Sequence, residues 1–395
     1  MMDRVNRTRY GLGAWLAVVA SFIPLTSLAQ SYTSFEMAGR EIVALGSDGF
    51  AYNPVVVVSG GGNVPSGTAG RGLLPGQSIP MAQMVVGVGT GGTCNGNPVG
   101  YNPQVIGRGA ADGYAYLVGY YDGNCNWQYG GILPGQTVPF SKIDAVLGWG
   151  NVGGLENPSF LQVIGLGAND GLAYLAGYQD QGGVWHAGHV LPGQTFPLSN
   201  IWTARGNSNR VQVIGKAASD GRLYVVAWQS NLGAWNSGQL LPGQSPAITA
   251  LDWSQGNGSN LQLVGVGTDG FLQLSNWQNS ATGVWSVGGA LPGGSITSFR
   301  DIVAATASVN GHLEVQAGGI GASDNILRMT SWQDTGGVWR SFSPAAPVVQ
   351  VGVQDVDTVF VNGLNVVGLG YNNRFYVLTR QDTGGVWRVG ADITP

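Results

Sequence analysis

Residues 162–193 read QVIGLGANDGLAYLAGYQDQGGVWHAGHVLPG, and this stretch decides the fold because it recurs along the chain. An apolar run ending in Val-Ile-Gly leads to an Asp-Gly turn, an aromatic residue, a Trp and a closing Leu-Pro-Gly. Such a fixed period marks one supersecondary unit copied along the chain. The seven turns are Asp48-Gly49, Asp112-Gly113, Asp170-Gly171, Asp220-Gly221, Asp269-Gly270, Asp324-Asn325 and Asn372-Asn373.

Each unit reads as four strands. In the quoted copy we expect strands over 162–167, 172–179 and 184–190, with a fourth over 201–205. The turns between them hold Asn, Asp, Gly and Pro, which suit the positive φ angles of tight hairpins. The sequence therefore predicts an all-β, seven-bladed β-propeller of four-stranded antiparallel blades. A solenoid is the competing architecture, but it needs polar capping repeats at both ends.

The two chain ends suggest how the ring closes. The last unit stops at Pro395, shortly after the strand that holds Trp387, so it lacks a fourth strand. Residues 32–40 precede the first unit and resemble the fourth strands elsewhere. We predict that this N-terminal strand joins the last blade, which leaves no free sheet edge. One domain, 30–395, follows.

The first 29 residues are typical of a signal peptide. Arg4, Arg7 and Arg9 precede an apolar run over 12–25, and small residues occupy the cleavage positions near Ala29. A membrane anchor needs about 20 apolar residues, and this run is shorter. We expect a secreted or periplasmic protein with no membrane span.

Composition excludes several classes of protein. The chain has 67 Gly, 13 Trp, 14 Tyr and 11 Phe, and only 10% of its residues are charged. A disordered chain lacks the apolar surface that so many aromatic residues provide. The net charge of -4 argues against nucleic acid as a partner, because phosphates call for a clustered basic surface.

Few residues have the pattern of a catalytic or metal site. Cys94 and Cys125 are predicted to form a disulfide in an oxidising compartment. His186 and His189 lie three apart on a predicted strand and so face opposite ways, which disfavours a shared metal; the third histidine is His312. Phosphate, dinucleotide and nucleophile-elbow motifs are missing from the sequence, so we expect no enzyme and no cofactor.

Some carboxylates break the repeat and leave an enzymatic alternative open. A glycosidase needs two carboxyl groups flanking the scissile bond. We expect most of these side chains to be solvated loop residues. They include Glu156, Asp252, Asp301, Glu314, Asp355 and Asp357.

Two sets of aromatic residues recur, and each has two interpretations. One set precedes Gln at the end of the second strand, where an aromatic face and an amide can hold a sugar between them. For that first set, packing is an equally good explanation. The other set is the third-strand Trp, for which packing between blades is the favoured interpretation and binding the alternative. The first set includes Tyr178-Gln179, Trp228-Gln229, Trp277-Gln278 and Trp332-Gln333, and the second runs through Trp127, Trp185, Trp235, Trp285, Trp339 and Trp387.

These compound repeats resemble those of the PLL-type bacterial β-propeller lectins over essentially the whole chain after the leader. Residues 332–339, WQDTGGVW, and the unit over 213–243 carry the resemblance. It implies a seven-bladed propeller without enzymatic activity that binds L-fucose and O-methylated sugars between neighbouring blades. The candidate carbohydrate-binding residues are Tyr178, Gln179, Trp185, Trp228, Gln229, Trp235, Trp277, Gln278, Trp285, Trp332, Gln333, Trp339 and Trp387.

Two units depart from the pattern. The first has Val56 in place of the second-strand aromatic residue and no third-strand Trp, and the last has Arg380 at the aromatic position. We therefore expect fewer than seven working pockets. Which of the two aromatic walls contacts the sugar stays open at this point.

The leading hypothesis is a secreted, multivalent carbohydrate-binding lectin whose partners are glycans on cell surfaces. The alternatives are a glycan-acting enzyme on the same fold, such as a glycosidase or lyase, and a protein-binding scaffold. Self-association into a homo-oligomer is compatible with each of them.

Overall fold

The protein is described here from a computed structural model. The structure describes residues 30–38, 41–59, 65–89, 102–122, 124, 126–149, 159–180, 182–206, 210–230, 233–243, 247–256, 260–310, 312–342, 346–360 and 363–394. The predicted signal peptide, Cys94, Cys125 and Glu156 lie outside these residues.

Within this part of the chain, the strands form seven antiparallel sheets, numbered here as blades 1–7 in chain order. Each blade has a first, innermost strand, then a second and a third, and a fourth strand outermost. Blade 2 divides its fourth strand into two short pieces, both paired with the third strand. The seven-bladed, four-stranded propeller predicted from the repeats is confirmed.

The first four blades contain strands β1–β17. Their bounds are β1 Tyr32–Ala38, β2 Glu41–Gly46, β3 Ala51–Ser59 and β4 Pro65–Leu73; β5 Met81–Gly89, β6 Asn102–Gly109, β7 Ala115–Tyr121, β8 Trp127–Gln128 and β9 Gly131–Ile132; β10 Phe140–Trp149, β11 Ser159–Gly167, β12 Ala173–Gln179 and β13 Trp185–Ala187; β14 Leu198–Arg205, β15 Val211–Ala217, β16 Leu223–Gln229 and β17 Trp235–Leu240.

The last three blades contain strands β18–β29. Their bounds are β18 Ile248–Gln255, β19 Leu261–Gly267, β20 Leu272–Gln278 and β21 Trp285–Ala290; β22 Phe299–Val309, β23 His312–Gly321, β24 Leu327–Gln333 and β25 Trp339–Ser341; β26 Val353–Phe360, β27 Leu364–Gly370, β28 Phe375–Gln381 and β29 Trp387–Asp392.

The predicted role of the N-terminal strand is wrong. Strand β1 pairs with β2 and is the innermost strand of blade 1, while blade 7 is complete with β26–β29. The strand that follows each Leu-Pro-Gly turn likewise begins the next blade instead of ending its own. In a repeated chain the four strands follow one another in the same cyclic order whichever strand is counted first. The sequence period alone therefore does not determine which strand begins a blade.

The ring closes instead through side chains at the seam between blades 7 and 1. The backbone N–H groups of Phe35 and Met37 donate to the carboxylates of Asp355 (2.9 Å) and Asp357 (2.7 Å). Beside them, Phe35 and Phe375 pack edge to face with ring centroids 5.7 Å apart. Blades 7 and 1 thus contact each other as two packed sheets.

The Asp-Gly turns join the second and third strands of a blade. Gly171 has a φ of +67°, a conformation that glycine adopts without steric cost. The Asp170 carboxylate accepts the backbone N–H of Leu172 at 3.0 Å and the Tyr174 hydroxyl at 2.6 Å. These contacts account for the Asp as turn chemistry, as the sequence suggests.

The apolar core is divided among the joints between blades. The joint between blades 4 and 5, for example, holds Ile214 and Leu223 from one sheet and Leu261 and Leu263 from the other, all fully buried. Corresponding clusters lie at the remaining joints, including the seam. Packing between sheets therefore holds the wheel together, because neighbouring blades share no strand pairing.

A group of carboxylates lines the centre of the ring, on the innermost strands. The pKa of Glu36 in blade 1 is raised well above its ordinary value by burial and by Asp357, Asp355, Asp144 and Asp252. Since Asp144 belongs to blade 3 and Asp252 to blade 5, the innermost strands converge on a common axis. The expectation that Asp252, Asp355 and Asp357 are solvated loop residues is wrong.

Each of these aspartates fastens one blade to the next. Asp144 accepts the N–H of Thr203 at 2.7 Å, and Asp252 accepts that of Ala304 at 2.7 Å, in both cases across a blade joint. Burial nevertheless dominates their ionisation and raises the pKa of Asp252 to about 7. Asp355 follows the same rule, with its pKa raised by burial to about 7.

Candidate functional site

A cavity of about 300 Å³ opens between blades 4 and 5. Trp228, on the third strand of blade 4, forms one wall, and Trp285, at the start of the fourth strand of blade 5, forms another. Gln212 and Gln278 line it as well, together with the hairpin residues Thr282 and Gly283 and the outer-strand residues Ser237, Gly238 and Gln239. Aromatic walls with a few polar groups are the usual composition of a small-molecule site.

Strand alternation explains why the two walls come from different blades. In blade 4, Trp228 lies opposite Asn236, whereas the next residue, Gln229, lies opposite Trp235. Successive side chains of a strand point to opposite faces of its sheet. Trp228 therefore faces blade 5 while Trp235 faces blade 3, and each joint receives one aromatic residue from each neighbouring blade.

The same pairing recurs around the ring. Tyr120 and Trp185 pack on the core between blades 2 and 3, and Tyr178 and Trp235 pack on the core between blades 3 and 4. Trp339 and Trp387 pack on the two joints that follow blade 5. For the described residues, strand register and alternation assign two aromatic walls to each of five joints: Tyr120 with Trp185, Tyr178 with Trp235, Trp228 with Trp285, Trp277 with Trp339, and Trp332 with Trp387.

The candidate glutamines lie beneath the aromatic walls, and three of them, Gln179, Gln229 and Gln278, use both ends of their amides within the protein. The amide of Gln333 donates to the carbonyl of Gly337, but its Oε1 accepts no hydrogen bond from the described residues. Gln229 is 5% exposed; its Nε2 donates to the carbonyl of Gly233, and its Oε1 accepts from Gln162 of blade 3 at 2.9 Å. Gln179 is bonded in the same way to Gly183 and to Gln104. Each such glutamine holds a hairpin and ties two blades together under the pocket.

The hairpin after each glutamine is fixed by its own cap. Asp334 accepts the N–H groups of Gly336 (3.0 Å) and Val338 (2.9 Å), and Arg340 donates to its other oxygen at 2.7 Å. The N–H of Val338 and the Arg340 guanidinium lower the pKa of Asp334. The loop that carries Trp339 is thus rigid and its Asp is ionised at neutral pH.

The departures seen in the sequence coincide with altered joints. Between blades 1 and 2, Val56 replaces the aromatic wall, and the Trp127 ring is covered by Tyr121 at 4.3 Å between centroids. The Tyr121 hydroxyl donates to the Glu41 carboxylate, in place of the bond between two glutamines. At the seam, Arg380 stands at the aromatic position and is only 8% exposed.

Sequence reasoning missed one residue at the site. Arg210 lines the cavity between blades 4 and 5, and its guanidinium carbon lies 5.7 Å from the centre of the Trp228 ring. The signal available in the sequence is its position, two residues before the Gln212 of the second strand. Neighbouring units carry other residues there, so the self-comparison passed over it.

Two further findings concern other classes of site. Among the described residues, we find no group of three or more His, Cys, Asp and Glu side chains arranged to hold a metal. Within the same part of the chain, no helix has the length and apolar character needed to cross a bilayer. The predicted disulfide stays a prediction, because both cysteines lie outside the described ranges.

Comparisons with known proteins bear on the fold. Neither a family model nor a curated protein matches the sequence. The structure is similar to the BP39L lectin from Burkholderia pseudomallei at 18% identity, with a TM-score of 0.64 over 92% of this chain and 99% of that one. A mutant of AofleA from Arthrobotrys oligospora matches at 14% identity and TM-score 0.52, covering 79% and 86%. The fucose-specific lectin from Aleuria aurantia matches at 18% and 0.51, covering 78% and 95%.

Proposed function

We propose that this protein is a multivalent lectin that binds fucose or O-methylated sugars in the aromatic pockets between its blades. The observation that carries the proposal is the cavity between blades 4 and 5, with Trp228 and Trp285 as walls. An indole face covers the apolar C–H patch or methyl group of a sugar, and polar rim groups take its hydroxyls. The fold similarity to the lectins from Burkholderia pseudomallei and Aleuria aurantia supports the same class of ligand.

We assign the recurring glutamines a scaffolding role in this proposal. Gln229 and Gln179 use both ends of their amides within the protein, so their contribution is to hold the hairpin and the floor in place. Sugar contact then falls to the indoles and to rim residues such as Ser237 and Gln239.

Five joints with both walls imply five sites on one rigid ring. Each is shallow and binds a monosaccharide weakly. A glycan-coated surface engages several sites together, which raises the avidity by ~10² or more without new contacts. On the sequence of residues 1–29 we also propose export from the cell, where such surfaces are found.

The carboxylates at the ring centre support binding over hydrolysis. Asp252 accepts the N–H of Ala304 with one oxygen and that of Trp253 with the other, and Asp357 does the same with Met37 and Thr358. We propose that these groups fasten blades and cleave no glycosidic bond. The released reducing ends measured after incubation with fucosylated oligosaccharides should equal the blank.

The test is calorimetric titration of the protein with methyl α-L-fucoside and with an O-methylated fucoside. We expect up to five weak sites per chain, and Trp228→Ala should remove one of them. Trp202→Ala is the matched control, because Trp202 is a half-buried indole of the same blade outside the cavity. Absence of binding to both sugars by correctly folded protein would refute the lectin proposal.

A further inference from the structure

The five joints with two aromatic walls have a glutamine at the same position of the second strand, such as Gln212 in blade 4, but they differ two residues before it. Blade 4 has Arg210 there, blade 5 has Asn260 and blade 6 has Glu314. Asn260 is engaged locally, since it accepts the N–H of Ser280 at 2.7 Å. The position two residues before the glutamine therefore changes the charge of otherwise repeated pockets from positive to neutral to negative.

Arg210 sets the charge of the pocket between blades 4 and 5. Its guanidinium lies over the Trp228 ring at 5.7 Å, a cation–π distance that orients the group beside the aromatic wall. The described residues lining the cavity include Gln, Ser, Thr, Gly, Val and Trp, and Arg210 is the one ionisable side chain among them. A ligand in this cavity consequently meets a positive charge next to an indole face.

We propose that the pocket between blades 4 and 5 is selective for an acidic saccharide, a uronic acid residue, and that Arg210 is the residue that determines this selectivity. The inference rests on the proposed lectin function and deepens it. The planar guanidinium presents parallel N–H donors that match a carboxylate, while the indoles cover the C–H face of the same ring. Neutral sugars such as fucosides still enter this pocket but bind less tightly than the acidic one, and the other pockets, which lack an arginine at this position, have no such preference.

The experiment compares methyl β-D-glucuronoside with methyl β-D-glucoside, which differ in the carboxylate at C6. Wild-type protein should bind the glucuronoside at one site per chain and at least about tenfold more tightly than the glucoside, because hydrogen bonds to charged groups exceed neutral ones. Raising the salt concentration should lower the affinity for the glucuronoside and leave the affinity for the glucoside unchanged.

Arg210→Gln should remove the preference for the glucuronoside. Arg210→Lys should keep a preference that depends on salt concentration, but it should bind the glucuronoside less tightly than wild type. Arg222→Gln is the matched control, because Arg222 is an exposed arginine of the same blade, 3.8 Å from Asp220 and outside the cavity. It should bind both sugars as wild type does.

The outcomes separate this inference from the lectin proposal. If methyl α-L-fucoside binds but the glucuronoside has no preferred site, or keeps its preference in Arg210→Gln, the acidic pocket is refuted and the lectin function stands. If folded protein binds neither fucosides nor the glucuronoside, both proposals fail together.

Discussion

Two joints of the ring have the same architecture but differ in what lies between their sheets: the joint between blades 4 and 5 and the seam between blades 7 and 1. The first keeps a cavity of about 300 Å³ between Trp228 and Trp285. At the seam Phe375 packs on Phe35 and on Tyr32, with ring centroids 5.7 and 5.5 Å apart. Aromatic residues thus open a pocket at one joint and fill the core at the other.

The difference shows that closing the ring and binding a ligand place different demands on a joint. The seam has to join the two ends of the chain without covalent continuity, and it does so with buried rings and two carboxylates that accept backbone N–H groups. Joints inside the chain are held in register by the linking turns. They can leave apolar surface uncovered, which is what a binding pocket requires.

The largest effect is expected from removing a ring at the seam. Phe375 is 1% exposed, and Phe375→Ala should lower the free energy of unfolding by about 3–5 kcal/mol, because it leaves a cavity in a packed core. Phe196→Ala is the control, since Phe196 is half-buried against Tyr224 at an interior joint and should cost less. Urea denaturation measures both. If both variants lose the same free energy of unfolding, the seam contributes no more to stability than an interior joint does.

The pH dependence of stability should come next in size. Burial raises the pKa of Asp355 to about 7 and that of Asp357 to about 6, against roughly 3.9 in an unfolded chain. A raised pKa in the folded state means that these groups stabilise the fold fully below about pH 4, and that this contribution falls from about pH 4 upward and is gone once the pH has passed 6 to 7.

An opposite trend operates in strong acid. The Arg328 guanidinium holds the pKa of Asp324 at about 2, so that its contribution is present above about pH 4 and is lost as the pH falls further. We therefore expect the melting temperature to be highest near pH 4 and lower by a few degrees at pH 8. Asp355→Asn should flatten the fall of the melting temperature between about pH 4 and 7. A melting temperature that keeps rising to pH 8 would contradict this assignment.

The smallest effect, on the number of sugar sites, is expected when one aromatic residue is added to a joint that lacks it. Val56→Trp supplies the missing aromatic residue between blades 1 and 2, but Trp127 there is 6% exposed and covered by Tyr121. The number of sugar sites should stay unchanged, whereas Tyr120→Val at the next joint should remove one. Calorimetric stoichiometry checks both, and an added site in Val56→Trp would mean that one wall suffices.

The repeated residues made the fold and both walls of the site predictable. Trp228 and Trp285 were each identifiable from their fixed offset to an Asp-Gly turn, because a repeated position carries the same environment in every copy. That the two meet across a joint follows from strand alternation combined with the packing of neighbouring sheets. The sequence of a single repeat does not show which face of its sheet packs against the preceding blade and which against the following blade.

The remaining parts were not readable from the repeat. The frame of each blade was misplaced by one strand, because a cyclic order of strands has no marked beginning. Asp144, Asp252 and Asp357 share one register position on the innermost strands, but they recur only in alternate blades. The comparison of constant residues therefore missed Asp144, and it took Asp252 and Asp357 for solvated loop residues that break the repeat. Arg210 was missed for the same reason, since specificity resides where copies differ.

Each pocket takes one wall from each of two sheets, and this has a consequence for how such a chain gains and loses sites. A single excised repeat carries half of two different sites and a complete version of neither. A bound saccharide bridges two separate pieces of the wheel, so that occupancy should slow their separation. Deleting or duplicating one repeat changes the neighbouring blade on both of its sides and so alters two sites at once. Selection for ligand binding therefore acts on the whole ring and not on single repeats.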